Sequence, residues 1–340
     1  MLRIGVIGFG YWGPNMVRNF CSAAQGTVTM VSDLRQKRLD LVRKQYPRVA
    51  VTTDAAEVIS SPDVDAVVIA TPVATHFDLA MRALQAGKHV LVEKPMTHSA
   101  ETAERLLEEA EKRGLTLMVD HTFIYTGGVR RMKEAIDSGS LGELYYYDST
   151  RVNLGLFQPD VDVLWDLAVH DLSILDYIIQ AKPQGVSATG LAHLPGHPVN
   201  TAYITLFFGG NFMAHVNVNW LSPIKLRQIL VGGSRQMMLF NELSPDEKLR
   251  IYDKGIDVTD QETAYKLMSL NYRMGDMVAP RIDRTEALQR EAAHFLDCVI
   301  DGRRPETDGR MGLRIVKILE AAGTSLNNRG TFVPLNLESA

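Results

Sequence analysis

The chain has 340 residues, 46% of them hydrophobic and 22% charged, with a formal net charge of −4 at pH 7. This length indicates two domains, and the mild negative charge, with no basic patch, argues against binding to nucleic acid or an anionic membrane surface. Cys21 and Cys298 have no metal-ligand spacing, which favours a reducing cytoplasm. No apolar run approaches the roughly 20 residues of a membrane helix, and the start "MLRIGVIGFG" lacks the cleavage pattern of a signal peptide.

The first third of the chain alternates strands with helices. Strands are predicted at "LRIGVIG", "VTMVSD", "AVVIAT", "HVLV" and "LTLMVD", and helices at about residues 14–20, 34–45, 77–85 and 100–112. Ser99 is the expected N-cap of the last of these helices. Nearly continuous apolar strands alternating with helices predict a parallel sheet that is covered on both faces.

Beyond about residue 122 the pattern changes. A helix near residues 129–137, the strand "GELYYYDSTRVN" and the helix "VLWDLAVHDLSILDYII" precede the extended stretches "AYITLFF", "NFMAHVNVNW", "RQILVGG", "RQMMLF" and "LRIYD". In "FMAHVNVNW", Ala214, Val216 and Val218 alternate with polar residues, a period of two that places one face of a sheet on a core. Strands without intervening helices predict a large open, mostly antiparallel sheet. Helices at about 286–300 and 309–326 close the chain.

A glycine fingerprint opens the first domain. In "GVIGFGYWGPN", Gly8, Gly10 and Gly13 form a G-x-G-x-x-G that follows a strand and begins a helix. These glycines permit a tight turn and close backbone approach, so the helix N-terminus can hold a pyrophosphate. Twenty residues after Gly13, strand two ends at Asp33, where a carboxylate accepts hydrogen bonds from the adenosine ribose and repels a 2′-phosphate. NAD is therefore favoured over NADP, and a glycine-rich turn beside a solvated aspartate is the alternative without function.

Further cofactor contacts are predicted from position. The candidates are Tyr11, Trp12, Arg35, Thr71, Pro72 and His76. Tyr11 and Trp12 lie within the fingerprint, while Arg35 can accommodate a 2′-phosphate and so keeps NADP open. The other three lie in "ATPVATH" at the end of a parallel strand, and ligands of open α/β sheets lie beyond the carboxyl ends of the strands. His76 alternatively caps the next helix.

A charged turn ends the buried strand of "HVLVEKPMTHS". Glu93 and Lys94 follow the apolar run directly, and both are cofactor candidates because this is again a carboxyl end. The Lys94 ammonium is expected where a nicotinamide would lie. Pro95 restricts the residues before it to extended geometry, and the turn is a candidate for a cis peptide. A surface pair of Lys94 with Glu93 is the alternative, which the opposite orientation of strand neighbours disfavours.

A second group of candidate site residues lies in "WDLAVHDLSILDY". In a helix, Asp166 and His170 are four residues apart and share a face, which Ser173 and Tyr177 continue. Another side of the helix carries the apolar stripe Leu164, Ala168, Leu172, Leu175 and Ile179. A metal pair is an alternative, but no third ligand with suitable spacing is present. A surface contact without function is the other alternative.

Together these motifs resemble the glucose–fructose oxidoreductase/inositol dehydrogenase (Gfo/Idh/MocA) family. The resemblance rests on the G-x-G-x-x-G start, "ATP…TH", "EKP" and D-x-x-x-H, and covers residues 2 to about 327. "GYWGPN", "HTFIYTGGVRRMKEAIDSG", "RVNLGLFQ" and "WDLAVHDLSIL" are most similar to the branch with nucleotide-sugar 3-dehydrogenases. The resemblance implies a Rossmann domain, here residues 1–122, and a substrate-binding and oligomerisation domain, here 123–340, whose sheet usually packs against another subunit.

The resemblance also implies an activity. A nicotinamide cofactor and a polyol, sugar or sugar-nucleotide substrate are expected, with Lys94 as the EKP lysine and Asp166 and His170 as the D-x-x-x-H pair. Asp120, in "MVDHTF", stands where relatives often carry a small residue and so alters the floor of the expected nicotinamide pocket. A homodimer or homotetramer is expected, because few helices are available to cover the second sheet.

The expected mechanism is hydride transfer from a secondary alcohol of the sugar, with C3 as the candidate position. Lys94 and His170 both hydrogen-bond the hydroxyl, one as general base and one stabilising the alkoxide, while Asp166 orients the imidazole. Which residue takes the proton is open, with His170 favoured because an unperturbed histidine titrates nearer neutral pH. Substrate contacts are expected from Tyr125, Arg130, Asn153 and Gln158, besides Asp166 and His170. A free-sugar or inositol dehydrogenase, a reductase and a non-catalytic nicotinamide-binding regulator are the alternatives.

Overall fold

A computed structural model describes residues 1–155, 161–257 and 271–337. The chain divides into two compact units. The first unit consists of Met1–Tyr125 and Thr285–Glu320, and the second of Thr126–Arg284 and Ala321–Ser339. The sequence pattern alone assigns everything after residue 122 to a second domain, whereas residues 285–320 make their contacts within the first unit.

The first unit contains a six-stranded sheet. Its strands are β1 (Leu2–Ile7), β2 (Gly26–Ser32), β3 (Ala50–Thr52), β4 (Ala66–Ile69), β5 (His89–Glu93) and β6 (Leu117–Asp120). Its first five helices are α1 (Gly13–Ser22), α2 (Gln36–Gln45), α3 (Ala55–Ser60), α4 (His76–Gln85) and α5 (Ala100–Arg113). All pairings are parallel, in the order β3-β2-β1-β4-β5-β6, which is the order of dinucleotide-binding domains.

Local sequence explains most of these elements. Every residue of β4 is buried, as a strand covered by helices on both faces requires. The Ser99 hydroxyl accepts a hydrogen bond from the N–H of Thr102 at 3.3 Å, so the expected N-cap of α5 is confirmed. The three residues of β3 and the six of α3 were not predicted, because elements this short leave no clear hydrophobic period.

The second unit is built on a nine-stranded sheet. Its strands are β7 (Leu144–Leu154), β8 (Gly185–Leu191), β9 (Thr201–Phe207), β10 (Met213–Asn219), β11 (Leu221–Gly233), β12 (Met237–Asn241), β13 (Leu249–Asp257), β14 (Asn271–Val278) and β15 (Val333–Pro334). The order is β14-β13-β12-β11-β7-β10-β9-β8-β15. Only the β7–β10 pairing among those described is parallel, so the expected mostly antiparallel sheet is confirmed.

The two faces of this sheet differ. Ala214, Val216 and Val218 are fully buried, as their alternation predicts. On the same and the neighbouring strand, Tyr203 and Met213 point the other way and are 45% and 49% exposed. One face therefore lies on the core of the second unit, and the other presents large apolar side chains to solvent.

Four further helices complete the described chain. They are α6 (Gly127–Asp137), α7 (Val169–Ile178), α8 (Ala287–Asp301) and α9 (Gly309–Asn327), with a π-helical turn at Leu164–Ala168 before α7. Helix α8 packs on α1, where Phe20 and Phe295 meet edge to face at 6.1 Å between ring centroids. In the ranges that the structure describes, no helix is both long and apolar enough to cross a bilayer.

Candidate active site

The glycine loop between β1 and α1 combines two tight contacts with one open position. A Cβ on Gly8, whose φ is +99°, would lie 2.4 Å from the carbonyl oxygen of Ala70, and one on Gly13 would lie 2.2 Å from that of Gly8. A Cβ on Gly10 would meet only the Arg35 Nη2, at 3.5 Å. Gly8 and Gly13 thus let the chain fold back on itself, while Gly10 leaves a cradle that a side chain would fill, as a bound pyrophosphate requires.

Asp33 ends β2 beside this loop. Its side chain is buried and accepts hydrogen bonds from the N–H of Phe9 at 2.8 Å and the N–H of Arg35 at 2.9 Å. Burial opposes ionisation, but the hydrogen bonds and charge of Arg35, together with the Phe9 N–H, outweigh it and lower the pKa of Asp33. Asp33 is therefore anionic at neutral pH, as a ribose-binding carboxylate must be.

His76 ties two loops of the first unit together. Its ring is buried, with Nε2 2.8 Å from the carbonyl oxygen of Thr71 and Nδ1 2.9 Å from that of Pro95. Burial lowers the pKa of His76. It is also the first residue of α4. Thr71 is half-buried and Pro72 is exposed, so of the three "ATPVATH" candidates the histidine is the one whose geometry indicates a positioning role.

Lys94 follows directly on β5. Its side chain is half-buried, and the Lys94–Pro95 peptide is cis, as the sequence suggested. The backbone N–H of Lys94 donates to Oε2 of Glu93 at 3.0 Å. Burial, and then the charge of Asp120, raise the pKa of Glu93 well above its usual range.

The glycine loop is connected to the end of β6 through Trp12. The indole Nε1–H of Trp12 donates to Oδ2 of Asp120 at 2.6 Å, and the Thr122 hydroxyl donates to Oδ1. Tyr11, the neighbouring candidate, is 93% exposed. Trp12 therefore has a fixed partner in the first unit, whereas Tyr11 is available at the surface.

In the second unit, Asp166 lies in the π-helical turn and His170 in α7. The N–H of Val169 donates to the carbonyl oxygen of Leu164, five residues earlier. The sequence pattern assumed an α-helix throughout, whereas the four residues from Asp166 to His170 cross the junction between a π-helical turn and α7. Such wide turns are frequent at functional sites. Oδ2 of Asp166 accepts a hydrogen bond from the Trp220 indole N–H at 3.2 Å.

A buried ion pair anchors α7 and was not predicted. Nε of Arg151 on β7 donates to Oδ2 of Asp171 at 2.7 Å, and the Ser149 hydroxyl donates to Oδ1 at 2.6 Å. Arg151 and Asp171 are 3% and 1% exposed. The sequence carried two signals for this ion pair. One is Asp171, which lies next to the apolar stripe of α7, and the other is Arg151, which occupies an inward-facing position of β7. Because Asp171 follows His170 directly, the pair fixes the start of α7.

The predicted substrate residues are distributed over both units. Tyr125 belongs to the first unit and is fully buried, with its hydroxyl 3.3 Å from that of Thr307, so it does not present the exposed ring expected of a cleft residue. The Arg130 guanidinium carbon lies 5.9 Å from the ring centroid of Tyr177 in the second unit. Asn153 is half-buried on β7. Gln158 lies outside the described residues.

One buried residue of the first unit was missed altogether. Glu291 on α8 is fully buried. It lies within the buried apolar stripe of the same helix that is formed by Leu288, Ala292, Phe295 and Cys298. Burial, and then the charge of Asp120, raise the pKa of Glu291 well above its usual range. A carboxylate at a helix position whose neighbours at three and four residues are apolar was the signal in the sequence.

Two family models match the chain. The oxidoreductase family with an NAD-binding Rossmann fold matches residues 2–121, and the GFO/IDH/MocA C-terminal domain matches residues 129–238. UDP-N-acetylglucosamine 3-dehydrogenase of Acidithiobacillus ferrooxidans is 31% identical over 325 residues, which are 93% of this chain and 94% of that protein. The chain belongs to the GFO/IDH/MocA family.

Further similarities are found in sequence and in fold. The uncharacterized oxidoreductase YrbE of Bacillus subtilis is 23% identical over 338 residues, covering 95% of this chain and 93% of that protein. The crystal structure of an aldose-aldose oxidoreductase from Caulobacter crescentus, complexed with glycerol, superposes with a TM-score of 0.83 at 18% identity, covering 98% and 99% of the two chains. As a GFO/IDH/MocA member, the protein is an NAD(P)-dependent oxidoreductase of CH–OH groups. The open Gly10 position and the anionic Asp33 fit such a dinucleotide.

Proposed function

We propose that the protein is an NAD-dependent dehydrogenase that oxidises a secondary alcohol of a sugar nucleotide, at C3 of the sugar. One observation carries the chemistry: Lys94 stands half-buried at the carboxyl end of β5, in a sheet with the strand order of dinucleotide-binding domains. The substrate class is supported by the 31% identity with UDP-N-acetylglucosamine 3-dehydrogenase over 93% of this chain.

In this proposal the first unit holds the cofactor. Gly8, Gly10 and Gly13 bring the start of α1 to the pyrophosphate, and Asp33 accepts hydrogen bonds from the adenosine ribose. Because Asp33 is anionic, it repels a 2′-phosphate, and NAD is the proposed cofactor. The further cofactor contacts are Tyr11, Trp12, Arg35, Thr71, Pro72, Glu93 and Lys94, with His76 holding the loops that carry Thr71 and Pro95.

The proposed acid–base groups are Lys94 and His170. The nicotinamide, when bound, supplies the acceptor for the hydride that leaves the carbinol carbon. Lys94 and His170 hydrogen-bond the substrate hydroxyl, one removing its proton and the other stabilising the developing alkoxide. Asp166, held by Trp220, orients the imidazole of His170, and His170 is the preferred base.

Substrate contacts are proposed for the second unit. The Arg130 guanidinium is suited to pair with a diphosphate, and Asn153 on β7 supplies an amide that can both donate and accept hydrogen bonds. Gln158 completes the proposed contacts, whereas Tyr125, fully buried in the first unit, is proposed to support the site without touching the substrate.

The test is a substrate panel with purified protein, after mass spectrometry of any ligand that the protein retains. UDP-N-acetylglucosamine, free N-acetylglucosamine and myo-inositol are each offered with NAD and with NADP, and reduced nicotinamide is followed by absorbance. Turnover of the sugar nucleotide with NAD is expected. Turnover of only the free sugar or inositol would establish the alternative dehydrogenase, and cofactor binding without turnover would favour a regulator.

We further propose that the protein assembles as a homodimer or homotetramer through the open face of the nine-stranded sheet. Tyr203, Phe207 and Met213 are 45%, 37% and 49% exposed on neighbouring strands, an apolar surface that a second copy would cover. Light scattering coupled to gel filtration is expected to give an oligomer, and Met213→Glu to weaken it. We propose a cytoplasmic location, since Cys21 and Cys298 are both free thiols.

A further inference from the structure

Three carboxyl side chains converge in the first unit. Glu93 and Asp120 occupy paired positions at the ends of the neighbouring parallel strands β5 and β6, so their side chains leave the same face of the sheet. Glu291 approaches them from α8. Asp120 is 2% exposed and Glu291 is fully buried. We call these three residues the carboxyl cluster.

Within the cluster, Asp120 accepts hydrogen bonds from two donors outside the cluster, an arrangement that favours the negative charge on this residue. Two donors serve its carboxylate: the Trp12 indole N–H at 2.6 Å and the Thr122 hydroxyl. Glu93 and Glu291 are pushed towards their protonated forms, because burial and then the charge of Asp120 raise the pKa of each. Within the described residues, no group of three or more acidic, His or Cys side chains is arranged to hold a metal ion.

The position of Asp120 in the sheet relates its charge to the nicotinamide half of the proposed cofactor. Asp33 at the end of β2 marks the adenosine half, and the glycine loop between β1 and α1 marks the pyrophosphate. The nicotinamide half then extends over the strands on the other side of β1, which are β4, β5 and β6 in order. Asp120 ends β6, and through Trp12 it is bonded to the pyrophosphate loop itself.

We propose that Asp120 selects the oxidation state of the cofactor, by placing a fixed negative charge near the nicotinamide ring. The oxidised ring is a cation and the reduced ring is neutral, so a carboxylate in a poorly solvated position stabilises bound NAD⁺ relative to bound NADH. The sugar substrate plays no part in this effect. The inference rests on the proposed nicotinamide cofactor, but on neither the substrate nor the acid–base assignment.

The selection has a consequence for turnover. Stabilising bound NAD⁺ relative to bound NADH shifts the equilibrium of hydride transfer on the enzyme towards NAD⁺ and the alcohol. Asp120 therefore makes the bound cofactor a weaker oxidant, and a small residue at this position removes that bias.

The experiment measures dissociation constants of NAD⁺ and NADH by isothermal titration calorimetry, without substrate. Asp120→Asn keeps the shape and removes the charge, and it is made in a Glu93→Gln, Glu291→Gln background so that neither neighbouring carboxyl ionises in its place. The matched control is Asp63→Asn, the same change at an exposed aspartate that precedes β4 and so lies at the amino ends of the parallel strands, whereas Asp120 lies at their carboxyl ends. We expect the ratio Kd(NADH)/Kd(NAD⁺) to fall about tenfold in Asp120→Asn and to stay at the wild-type value in Asp63→Asn.

A ratio that is unchanged in Asp120→Asn would overturn the inference while leaving the proposed function intact. Absence of binding of NAD⁺, NADH, NADP⁺ and NADPH to the wild-type protein would instead refute the cofactor assignment, and the inference with it. Should Asp120→Asn fail to fold, Asp120→Ser removes both the charge and the acceptor for Trp12, and the same fall in the ratio is expected. A wild-type ratio in a folded Asp120→Ser variant overturns the inference equally.

Discussion

Arg35 holds both carboxylate oxygens of Asp33, with Nε 3.0 Å from Oδ1 and Nη2 3.1 Å from Oδ2. The arginine that would accommodate a 2′-phosphate is therefore already engaged by the carboxylate that repels one. The Arg35 side chain is 58% exposed, so it is free to rotate towards a ligand, whereas Asp33 is fixed by the Phe9 N–H.

The contact between Arg35 and Asp33 predicts how substitution of either residue changes the preference between NAD and NADP. Asp33→Ser removes the acceptor for the ribose hydroxyls and releases Arg35, so we expect NAD affinity to fall about tenfold or more and NADP affinity to rise. Arg35→Ala leaves Asp33 in place and is expected to reduce NADP binding only. Calorimetric titration of both variants with both cofactors tests this, and tighter NADP than NAD binding by the wild-type protein would contradict it.

The glycine loop offers a pair of matched substitutions. Gly10→Ala adds a methyl group whose nearest neighbour is the Arg35 Nη2 at 3.5 Å, so thermal stability is expected to stay near wild type while dinucleotide affinity falls at least tenfold. Gly13→Ala places a methyl group 2.2 Å from the Gly8 carbonyl oxygen and is expected to destabilise the fold itself. Wild-type affinity in Gly10→Ala would show that the cradle is not the pyrophosphate site.

Loss of either proposed acid–base residue should remove most of the turnover. Lys94→Ala and His170→Ala are each expected to lower kcat by about 10²- to 10⁴-fold. Lys112→Ala and His215→Ala, at exposed and half-buried positions away from these residues in sequence, serve as controls. The pH–rate profile identifies the base, because the acidic limb disappears in the variant that has lost it. Near-wild-type turnover in both Lys94→Ala and His170→Ala would rule out the assignment.

Glu291 is predicted to make stability depend on pH. Burial, and then the charge of Asp120, raise its folded-state pKa well above its usual range, while the unfolded value is about 4.3. Its contribution to stability is therefore fully present below the unfolded pKa and is lost as pH rises through the folded pKa. Glu291→Gln does not titrate, so the Tm of this variant minus the Tm of wild type should grow as the pH rises above the unfolded-state pKa.

Glu286, which precedes helix α8, is expected to change stability with pH in the opposite direction to Glu291. Hydrogen bonding to Arg18 lowers the pKa of Glu286, so its contribution is present above the unfolded pKa and is lost as pH falls. Glu286→Gln should therefore lower Tm at neutral pH, slightly, since the pair is 43–50% exposed. A Tm difference for Glu291→Gln that does not grow with pH would contradict the assignment of Glu291 as protonated.

The buried Arg151–Asp171 ion pair is predicted to contribute to the free energy of unfolding. Asp171→Ala leaves the buried Arg151 without its main partner and is expected to lower the free energy of unfolding by about 3–5 kcal/mol. Asp148→Ala removes a partly exposed partner of His215, 3.6 Å away, and should cost less than about 1 kcal/mol. Urea denaturation compares the two, and similar losses in both variants would contradict the prediction.

Much of the first unit could be predicted from sequence because its signals are local. The apolar runs of β1, β4 and β5, the glycine spacing and Ser99 each act within a few residues of chain. The same holds for the alternation in β10, which shows the buried face without any knowledge of the partner strand.

The remaining features depend on contacts between distant parts of the chain. Glu291 joins Asp120 across 170 residues of sequence, and no periodicity specifies which strand a helix will meet. The π-helical turn before α7 follows from a shift of one residue in hydrogen-bond partner, and Asp162, whose Oδ1 accepts from the N–H groups of Leu164 and Trp165, holds its start. Hydrophobic spacing does not distinguish that turn from a regular α-helix.

Residues 285–320 belong to the first unit although they follow the second unit in the chain. This arrangement restricts where the chain can be joined to a relative in a chimera. A chimera that exchanges the second unit with a relative has to be spliced near residue 125, near residue 284 and again near residue 320, inside helix α9. A graft made at the first junction alone would separate Phe295 and Glu291 from the helix and strand on which they pack, and would leave a dinucleotide-binding fragment with an uncovered apolar flank.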